Sequence, residues 1–258
     1  MPVFNINEST NPDADWTIEH AFEAGVVSRA TTVPVRKDLR AKWWKIYHQE
    51  YTGACVGFSS AYGVLWWHYV KERMVPSDKP RHRPSARFIW MASKETDEDT
   101  KFPTTFLDQG GGRIKQALNI VRKFGCVFDS EIPMKIERFP RVKVEAFYLK
   151  AGDLKIKSYV NLGRNPDHWK RWLALQGPIV TRLVPDDQFM SATRRTQIGN
   201  YRFPGLRRGG HAVCLAGYDQ NRFLVRNSFG TKWGEKGYLW VSREYAETAM
   251  TEAYGVVV

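Results

Sequence analysis

Residues 51–67 read YTGACVGFSSAYGVLWW and place a cysteine, Cys55, at the start of a predicted helix. The apolar residues that follow recur every three or four positions, the period of one helix face; they are Phe58, Tyr62, Leu65 and Tyr69. Pro76 cannot continue a helix, so this one is predicted to end by Val75. The cysteine could be a packing residue, half of a disulfide, a metal ligand or a nucleophile, and the rest of the sequence decides among them.

The composition indicates a globular protein in a reducing compartment. The chain has 258 residues, enough for a substantial core, and 43% of them are hydrophobic. Three cysteines are too few for a disulfide framework, and the C-x-x-C spacing of a zinc site is absent, so no metal or cofactor is expected. No stretch is apolar enough to span a membrane, and the first residues lack a secretory signal. We therefore expect a cytoplasmic or otherwise reducing location, leaving a viral source or release by a non-signal route open.

Charge is unevenly distributed along the chain. The net charge is +12, yet residues 1–28 contain acidic residues and no Lys or Arg. We interpret residues 1–32 as an acidic extension that packs on a basic body, either as a short regulator that covers a cleft or as an extension docked elsewhere. The basic residues are scattered without a nucleic-acid-binding module, which favours a solvated surface over a nucleic-acid partner.

The two halves of the chain differ in pattern. Helices are predicted after Ser85, over 113–124 ending at Gly125, and after Asn165. The remaining second half reads as short strands separated by turns; these are residues 178–184, 211–217, 222–228, 237–242 and 253–258. The prediction is an α+β fold in which a helical lobe (about 50–150) packs against a β-barrel-like lobe (about 151–258 plus an N-terminal strand region). A cleft between the lobes is a natural place for a site.

Four residues suited to thiol catalysis occur in order along the chain: Gln49, Cys55, His211 and Asn227. Each alone has an ordinary structural explanation, but together they fit one chemistry. The N-terminus of a helix favours a thiolate, and an imidazole from the other lobe can pair with it and protonate a leaving amine. Asn227 can orient that imidazole, and the Gln49 amide with the Cys55 backbone N–H can form an oxyanion hole. We therefore expect Cys55 and His211 to titrate as a coupled thiolate–imidazolium pair.

These motifs resemble those of the papain/cathepsin cysteine peptidases. The matching stretches are Gln49 six residues before the cysteine, CVGFS from Cys55, HAV from His211, and NSFGTKWGEKGY from Asn227. Cysteine, histidine and asparagine follow the family's order, and the resemblance covers residues 33–258. It implies a papain-like fold with the active site between two lobes, and thiol-dependent hydrolysis of a peptide or protein substrate.

The resemblance also implies substrate-binding residues. Gly110 and Gly111 match the glycines that pair with an extended substrate. Because Gly112 is also a glycine, this match could be shifted by one residue. Trp233 matches the tryptophan that shields the His–Asn pair and lines the leaving-group side. The chain departs from the family at Thr52, where a disulfide cysteine is usual, and at Phe229, where a tryptophan is usual. Neither departure removes a catalytic group.

Two alternatives to hydrolysis remain at this stage. One is a catalytically idle papain-like scaffold used for binding or assembly, with the basic surface as its working part. The other is an acyl transferase or peptide ligase that uses the same nucleophile but passes the acyl group to an amine. Side-chain preference, cell-wall peptides as a substrate class and the oligomeric state are not decided by the sequence.

Overall fold

Six of the seven strands of one antiparallel sheet come from the second half of the chain. The computed structural model describes residues 5–95, 102–106, 110–205 and 209–258. The sheet runs in the order β2-β7-β3-β4-β5-β6, with β1 paired to β4. The strands are β1 (Lys37–Asp38), β2 (Ser158–Asn161), β3 (Ile179–Leu183), β4 (His211–Tyr218), β5 (Arg222–Arg226), β6 (Tyr238–Ser242) and β7 (Met250–Val257).

Helices occur in both halves of the chain and pack on this sheet or on one another. They are α1 (Ile18–Glu23), α2, α3 (Ala86–Ala92), α4 (Ile114–Lys123), α5 (Val144–Ala151), α6 (Pro166–Leu175), α7 (Asp187–Met190) and α8 (Arg243–Ala249). Helix α2 is continuous through three stretches: an α-helical turn at Cys55–Gly57, a wider π-helical stretch at Phe58–Leu65, and an α-helix at Trp66–Arg73. Short 3₁₀ turns lie at Pro12–Ala14, Pro80–His82 and Gly152–Leu154.

Helix α2 is buried between α3 and the sheet, and two glycines permit this approach. A β-carbon at Gly57 would lie 2.2 Å from the Ala86 carbonyl oxygen of α3. A β-carbon at Gly63 would lie 2.7 Å from the Cys214 β-carbon of β4. Both distances are too short for a side chain, so α2 can pack this closely on both sides only with glycine there. The packing fixes the start of α2, and with it Cys55, beside β4.

The α+β architecture predicted from the sequence is confirmed. Helix α2 ends at Arg73, short of Val75 as predicted, and the Ser85 hydroxyl accepts a hydrogen bond from the Phe88 N–H at 3.0 Å to begin α3. The sequence prediction missed strand β2 and helices α5, α7 and α8. The start of α8 carried a signal, since the Ser242 hydroxyl caps it by accepting from the Tyr245 N–H.

All three cysteines are buried and free. The Cys214 thiol donates to the Gly63 carbonyl of α2, and the Cys126 thiol donates to the Val127 carbonyl. Both therefore pack as small apolar residues. Within the described ranges, every helix is too short or too polar to cross a membrane.

Candidate active site

Cys55 is the first residue of helix α2 and its side chain is fully buried, with 0% exposure. The helix begins there because the Phe58 N–H donates to the Ala54 carbonyl at 3.0 Å. Backbone N–H groups of Ala212, Val56 and Cys55 itself lie within hydrogen-bonding reach of the thiol. Ala212 directly follows His211, so the thiol lies against the first residues of strand β4.

His211 begins strand β4 and is held by Asn227, which follows the end of β5. The His211 Nε2 lies 2.8 Å from the Asn227 Oδ1. The same Oδ1 accepts the Ser228 backbone N–H at 2.8 Å, which fixes the amide with its oxygen toward the imidazole. Because that oxygen can only accept, Nε2 carries the proton in the neutral ring and Nδ1 is left as the acceptor. This tautomer allows Nδ1 to take a proton from a thiol.

An aromatic cluster encloses the imidazole. Phe229 stacks on His211 with ring centroids 4.8 Å apart and an interplanar angle of 24°. Trp233 lies behind it, edge-on to Phe229 at 6.0 Å, and its indole N–H donates to the Phe189 carbonyl. The ring that stacks on His211 is thus Phe229, and Trp233, the residue predicted for shielding, supports that phenyl ring.

Gln49 is 1% exposed, and its side-chain amide is fixed at both ends. Its Nε2 donates to the Thr52 carbonyl at 2.8 Å, and its Oε1 accepts the Ser228 hydroxyl at 2.6 Å. The Gln49 backbone N–H also donates to the Ser228 carbonyl at 2.9 Å. Ser228 therefore joins the predicted oxyanion residue to the residue that orients His211. The second N–H of the Gln49 amide is not used in these contacts.

Burial dominates the protonation of the two reacting groups. It raises the pKa of the Cys55 thiol to about 12, although the backbone N–H groups around it act in the opposite direction. It lowers the pKa of His211 to about 4, against the effect of the hydrogen bond to Asn227. In this arrangement the expectation of a thiolate–imidazolium pair is therefore wrong, because burial favours the neutral thiol and the neutral imidazole.

The N-terminal segment contributes to this burial, because residues 5–9, here called the covering segment, cross the cleft. The Ile6 N–H donates to the carbonyl of Gly210, the residue before His211, at 3.1 Å, and the Asn7 N–H donates to the Gly112 carbonyl at 3.2 Å. A β-carbon at Gly112 would lie 3.2 Å from Val56, the residue after Cys55. The segment thus pairs with both walls of the cleft, beside each reacting residue.

Asn5 continues this path across the predicted substrate-binding glycines. A β-carbon at Gly111 would lie 2.1 Å from the Asn5 carbonyl oxygen, and one at Gly53 would lie 2.9 Å from its Oδ1. Gly110 has a positive φ of 78° with nothing within 4 Å of a β-carbon position. The main-chain hydrogen bond from Asn7 is accepted by the carbonyl of Gly112, the third glycine of residues 110–112. Gly110 and Gly111 as substrate-binding residues stay a prediction.

Charged side chains hold the covering segment and the residues after it. The Glu8 carboxylate lies 3.1 Å from the Arg182 guanidinium of β3. Asp15 lies 2.5 Å from the Lys115 ammonium and accepts the Tyr254 hydroxyl at 2.9 Å. The acidic extension therefore packs on basic residues of the body, as its charge predicted. Sequence reasoning did not identify Arg182 or Ser228, although Ser228 lies inside the Asn227 motif.

A cavity of about 490 Å³ remains on the other side of Gln49. Its walls come from the loop before α2, from α2 itself and from residues 133–137, with Tyr47, Thr52, Phe58 and Met134 among them. No residue of the covering segment lines it. The covering segment therefore leaves the cavity beside Gln49 unfilled.

Comparison with known proteins places these features in a family. The sequence model of the papain family cysteine protease matches residues 95–257, a span that contains His211, Asn227 and Trp233. The chain is 28% identical over 211 residues to an uncharacterized peptidase C1-like protein of Acanthamoeba polyphaga mimivirus, covering 75% of this chain and 62% of that protein. It is 25% identical over 219 residues to a cathepsin L-like proteinase of Fasciola hepatica, covering 82% and 61%. The chain spans about six-tenths of the length of both relatives.

Solved structures share the fold. Xylellain, a cysteine protease from Xylella fastidiosa, superposes with a TM-score of 0.75 at 20% identity, covering 100% of this chain and 96% of that one. Digestive procathepsin L 3 of Tenebrio molitor larval midgut gives a TM-score of 0.68 at 17% identity, covering 90% and 72%. At these identities the likeness shows the fold alone, and together with the family match it confirms the resemblance drawn from the motifs.

The Ser228 contacts generate a stability prediction. Ser228→Ala leaves the buried Gln49 Oε1 without its donor, so we expect the free energy of unfolding to fall by about 1–3 kcal/mol. Ser191→Ala is the matched control, because that hydroxyl is exposed and bonds only within its own turn. Urea denaturation of both variants measures the difference. An equal, negligible effect of the two substitutions would contradict the proposed link between Gln49 and Ser228.

Proposed function

Because this chain belongs to the papain family of cysteine proteases, we propose that it hydrolyses peptide bonds with Cys55 as the nucleophile. The observation that carries the proposal is the hydrogen bond of 2.8 Å between His211 and Asn227. It leaves Nδ1 of the imidazole as the acceptor for the Cys55 proton. The thiol lies against Ala212, the residue after His211.

The proposed reaction has two stages. Cys55 transfers its proton to His211 Nδ1, and the thiolate attacks the peptide carbonyl carbon to form a C–S bond. The C–N bond then breaks, and the leaving amine takes the proton from the imidazolium. A water molecule, deprotonated by His211, then attacks the thioester carbonyl carbon. The C–S bond breaks, the acid is released, and the imidazolium returns its proton to the Cys55 sulfur. No metal or cofactor takes part in these steps.

Gln49 is proposed to stabilise the oxyanion of each tetrahedral intermediate. Its amide plane is fixed by bonds to Thr52 and Ser228, so the second Nε2 hydrogen has a set direction. A donor fixed before the reaction costs no reorganisation when charge develops on the carbonyl oxygen. The backbone N–H of Cys55 is the second proposed donor.

The covering segment is proposed to keep the enzyme latent. It occupies the cleft beside Val56 and His211, and it excludes the water that a charged Cys55–His211 pair requires. Release of the segment restores that water, and the thiolate–imidazolium form then becomes accessible. The position of the segment in the cleft supports a regulatory role for the acidic extension, rather than an extension that docks away from the site.

The rival functions differ in their products. An acyl transferase with the same nucleophile would form an amide when an amine is added, whereas a scaffold would release nothing from any peptide. Mass spectrometry of peptide digests with and without added amine separates the three cases. Free acid as the dominant product supports hydrolysis.

The latent state predicts that a charge at position 6 activates the enzyme. Ile6 is buried at 1% exposure, so Ile6→Asp places a carboxylate in an apolar site and detaches the covering segment. We expect Cys55 to react with an epoxide inhibitor at least about tenfold faster. Asn7→Asp is the matched control, since Asn7 is exposed and the same charge there is solvated. Equal labelling rates in both variants and the unmodified chain would refute latency.

In Cys55→Ala, where no thiol shares the proton, the pKa directions predict that acid releases the cover. The covered His211 has a pKa of about 4, below the ordinary imidazole value of 6.5, so the uncovered state binds more protons between these values. The covered state of this variant therefore loses stability as the pH falls from about 6.5 toward 4. The measurement is the hydrogen-exchange protection of the Ile6 amide, which bonds the Gly210 carbonyl in the covered state, at each pH. Protection should fall over that window, and constant protection would contradict the prediction.

Removal of the four catalytic groups should have unequal effects on kcat. Cys55→Ala should abolish turnover, and His211→Ala should be nearly as severe because it removes the proton donor. Gln49→Ala should lower kcat by roughly 10²–10³, the loss seen for one oxyanion donor. Asn227→Ala should be mildest, because an amide orients the ring without adding charge. KM should change little in the folded variants. Turnover by Cys55→Ala, or a Gln49→Ala effect below about threefold, would contradict the assigned roles.

A further inference from the structure

A buried cation lies in the wall of the cleft, outside the four catalytic residues. Arg182 on β3 is 9% exposed, and its neighbour across the sheet is Ala212 of β4. A β-carbon at Gly210 would lie 2.3 Å from the Arg182 Nε, so the guanidinium lies against the residue that precedes His211. Arginine is rarely buried without a specific partner.

The partners of Arg182 come largely from the covering segment. Its Nε donates to the Ile6 carbonyl at 2.8 Å, and its Nη1 donates to the Glu8 carboxylate at 3.1 Å. The body of the protein supplies the Thr251 hydroxyl at 2.7 Å. Over the described part of the chain, Glu8 is the only carboxylate in an ion pair with Arg182. Departure of the segment would leave the guanidinium with one neutral acceptor from the protein, the Thr251 hydroxyl.

The charged groups around Arg182 also favour an anion at the Glu8 position. Glu252 faces Arg182 across the β3–β7 ladder, but its Oε1 accepts the Ser9 N–H at 3.3 Å, and burial raises its pKa. Arg113 and Lys115 lie on the opposite wall, where Arg113 donates to the Glu8 backbone carbonyl at 3.0 Å. In the covered state Glu252 therefore bonds Ser9 while Glu8 pairs with Arg182, and the two further cations add positive potential.

We infer that Arg182 forms a subsite for an acidic side chain of a peptide bound in the cleft, and that Glu8 fills this subsite in the covered state. The inference rests on the proposed function, in which the cleft receives peptide substrates. Main-chain pairing at Gly210 and Gly112 sets the register of the segment. A peptide that makes the same two bonds brings the next side chain to Arg182, which selects Glu or Asp there.

The first test measures binding, so it does not depend on catalysis. The protein is the full chain with Ile6→Asp to detach the cover and Cys55→Ala to prevent cleavage. The probes are the fluorescent peptide Asn-Ile-Asn-Glu-Ser-Thr-Asn, which copies residues 5–11, and the same peptide with Gln in place of Glu. We expect the Glu peptide to bind about five- to tenfold more tightly.

Three variants assign that preference to a side chain. Arg182→Gln should reduce the ratio of the two affinities to about one, whereas Arg182→Lys, which keeps the charge, should retain part of it. Arg113→Gln is the comparison: Arg113 bonds the backbone at Glu8, so its loss should weaken both peptides and lower the ratio much less than Arg182→Gln does. Circular dichroism verifies that each variant is folded.

A further variant avoids any change in the buried wall. The Glu8 side chain is 65% exposed, so Glu8→Gln in the otherwise unmodified chain carries no folding risk and should raise the Cys55 labelling rate. Equal binding of the Glu and Gln peptides, binding of neither, or a ratio that survives Arg182→Gln would each overturn the subsite. If Arg182→Gln does not fold, the other two variants decide. An affinity ratio reduced in Arg182→Lys and a faster Cys55 labelling in Glu8→Gln support the subsite, and no change in either overturns it.

Cleavage separates this inference from the proposed function. The second test digests a peptide library in which Glu and Gln are scanned through each position, using the Ile6→Asp chain with Cys55 intact. Cleavage that favours Glu at one position, and loses this preference in Arg182→Gln, supports both proposals. Cleavage without an acidic preference overturns the subsite alone. Glu-dependent binding without any cleavage supports the subsite and refutes the hydrolase.

Discussion

The close contact between helix α2 and strand β4 is the constraint on which the site depends. Gly63 lies against Cys214 so tightly that no side chain fits between them. This contact joins the helical half to the sheet, and it sets the helix start beside the strand start. Cys55 and His211, distant in sequence, are the first residues of these two elements. Their encounter therefore follows from packing deep in the core, and the loops need only supply Gln49 and Asn227.

Two opposing electrostatic effects act on the Cys55 thiol, and the structure indicates which one prevails. The helix terminus and three backbone N–H groups favour the thiolate, but complete burial favours the neutral form by more. Desolvation is the larger effect because both side chains are completely buried, with the covering segment beside them. The proposed catalytic groups are thus uncharged in the covered arrangement, and their access to solvent controls their charge.

The candidate catalytic residues could be proposed from sequence because the motifs are local and occur in a fixed order. Strands β3 to β7 also followed from their apolar runs, whereas β2 was missed and helix α8 was hidden among the strands because it is short and begins directly after β6. Arg182 could not be identified, since a lone arginine in a strand pattern reads as surface charge until its neighbour Gly210 is known. The covering contacts depend on pairing across more than a hundred residues. Charge alone predicted that the acidic segment binds the body, but only the coordinates locate it beside His211.

The buried, neutral state of Cys55 has a consequence for the chemical durability of the protein. Peroxides and disulfides react with thiolates that solvent can reach, and a thiol with a raised pKa and no exposure reacts with them slowly. A chain stored in the covered form therefore resists oxidation to sulfenic acid or a mixed disulfide. Uncovering creates reactivity and vulnerability together, so the lifetime of the open form in an oxidising medium has a chemical limit that the closed form does not share.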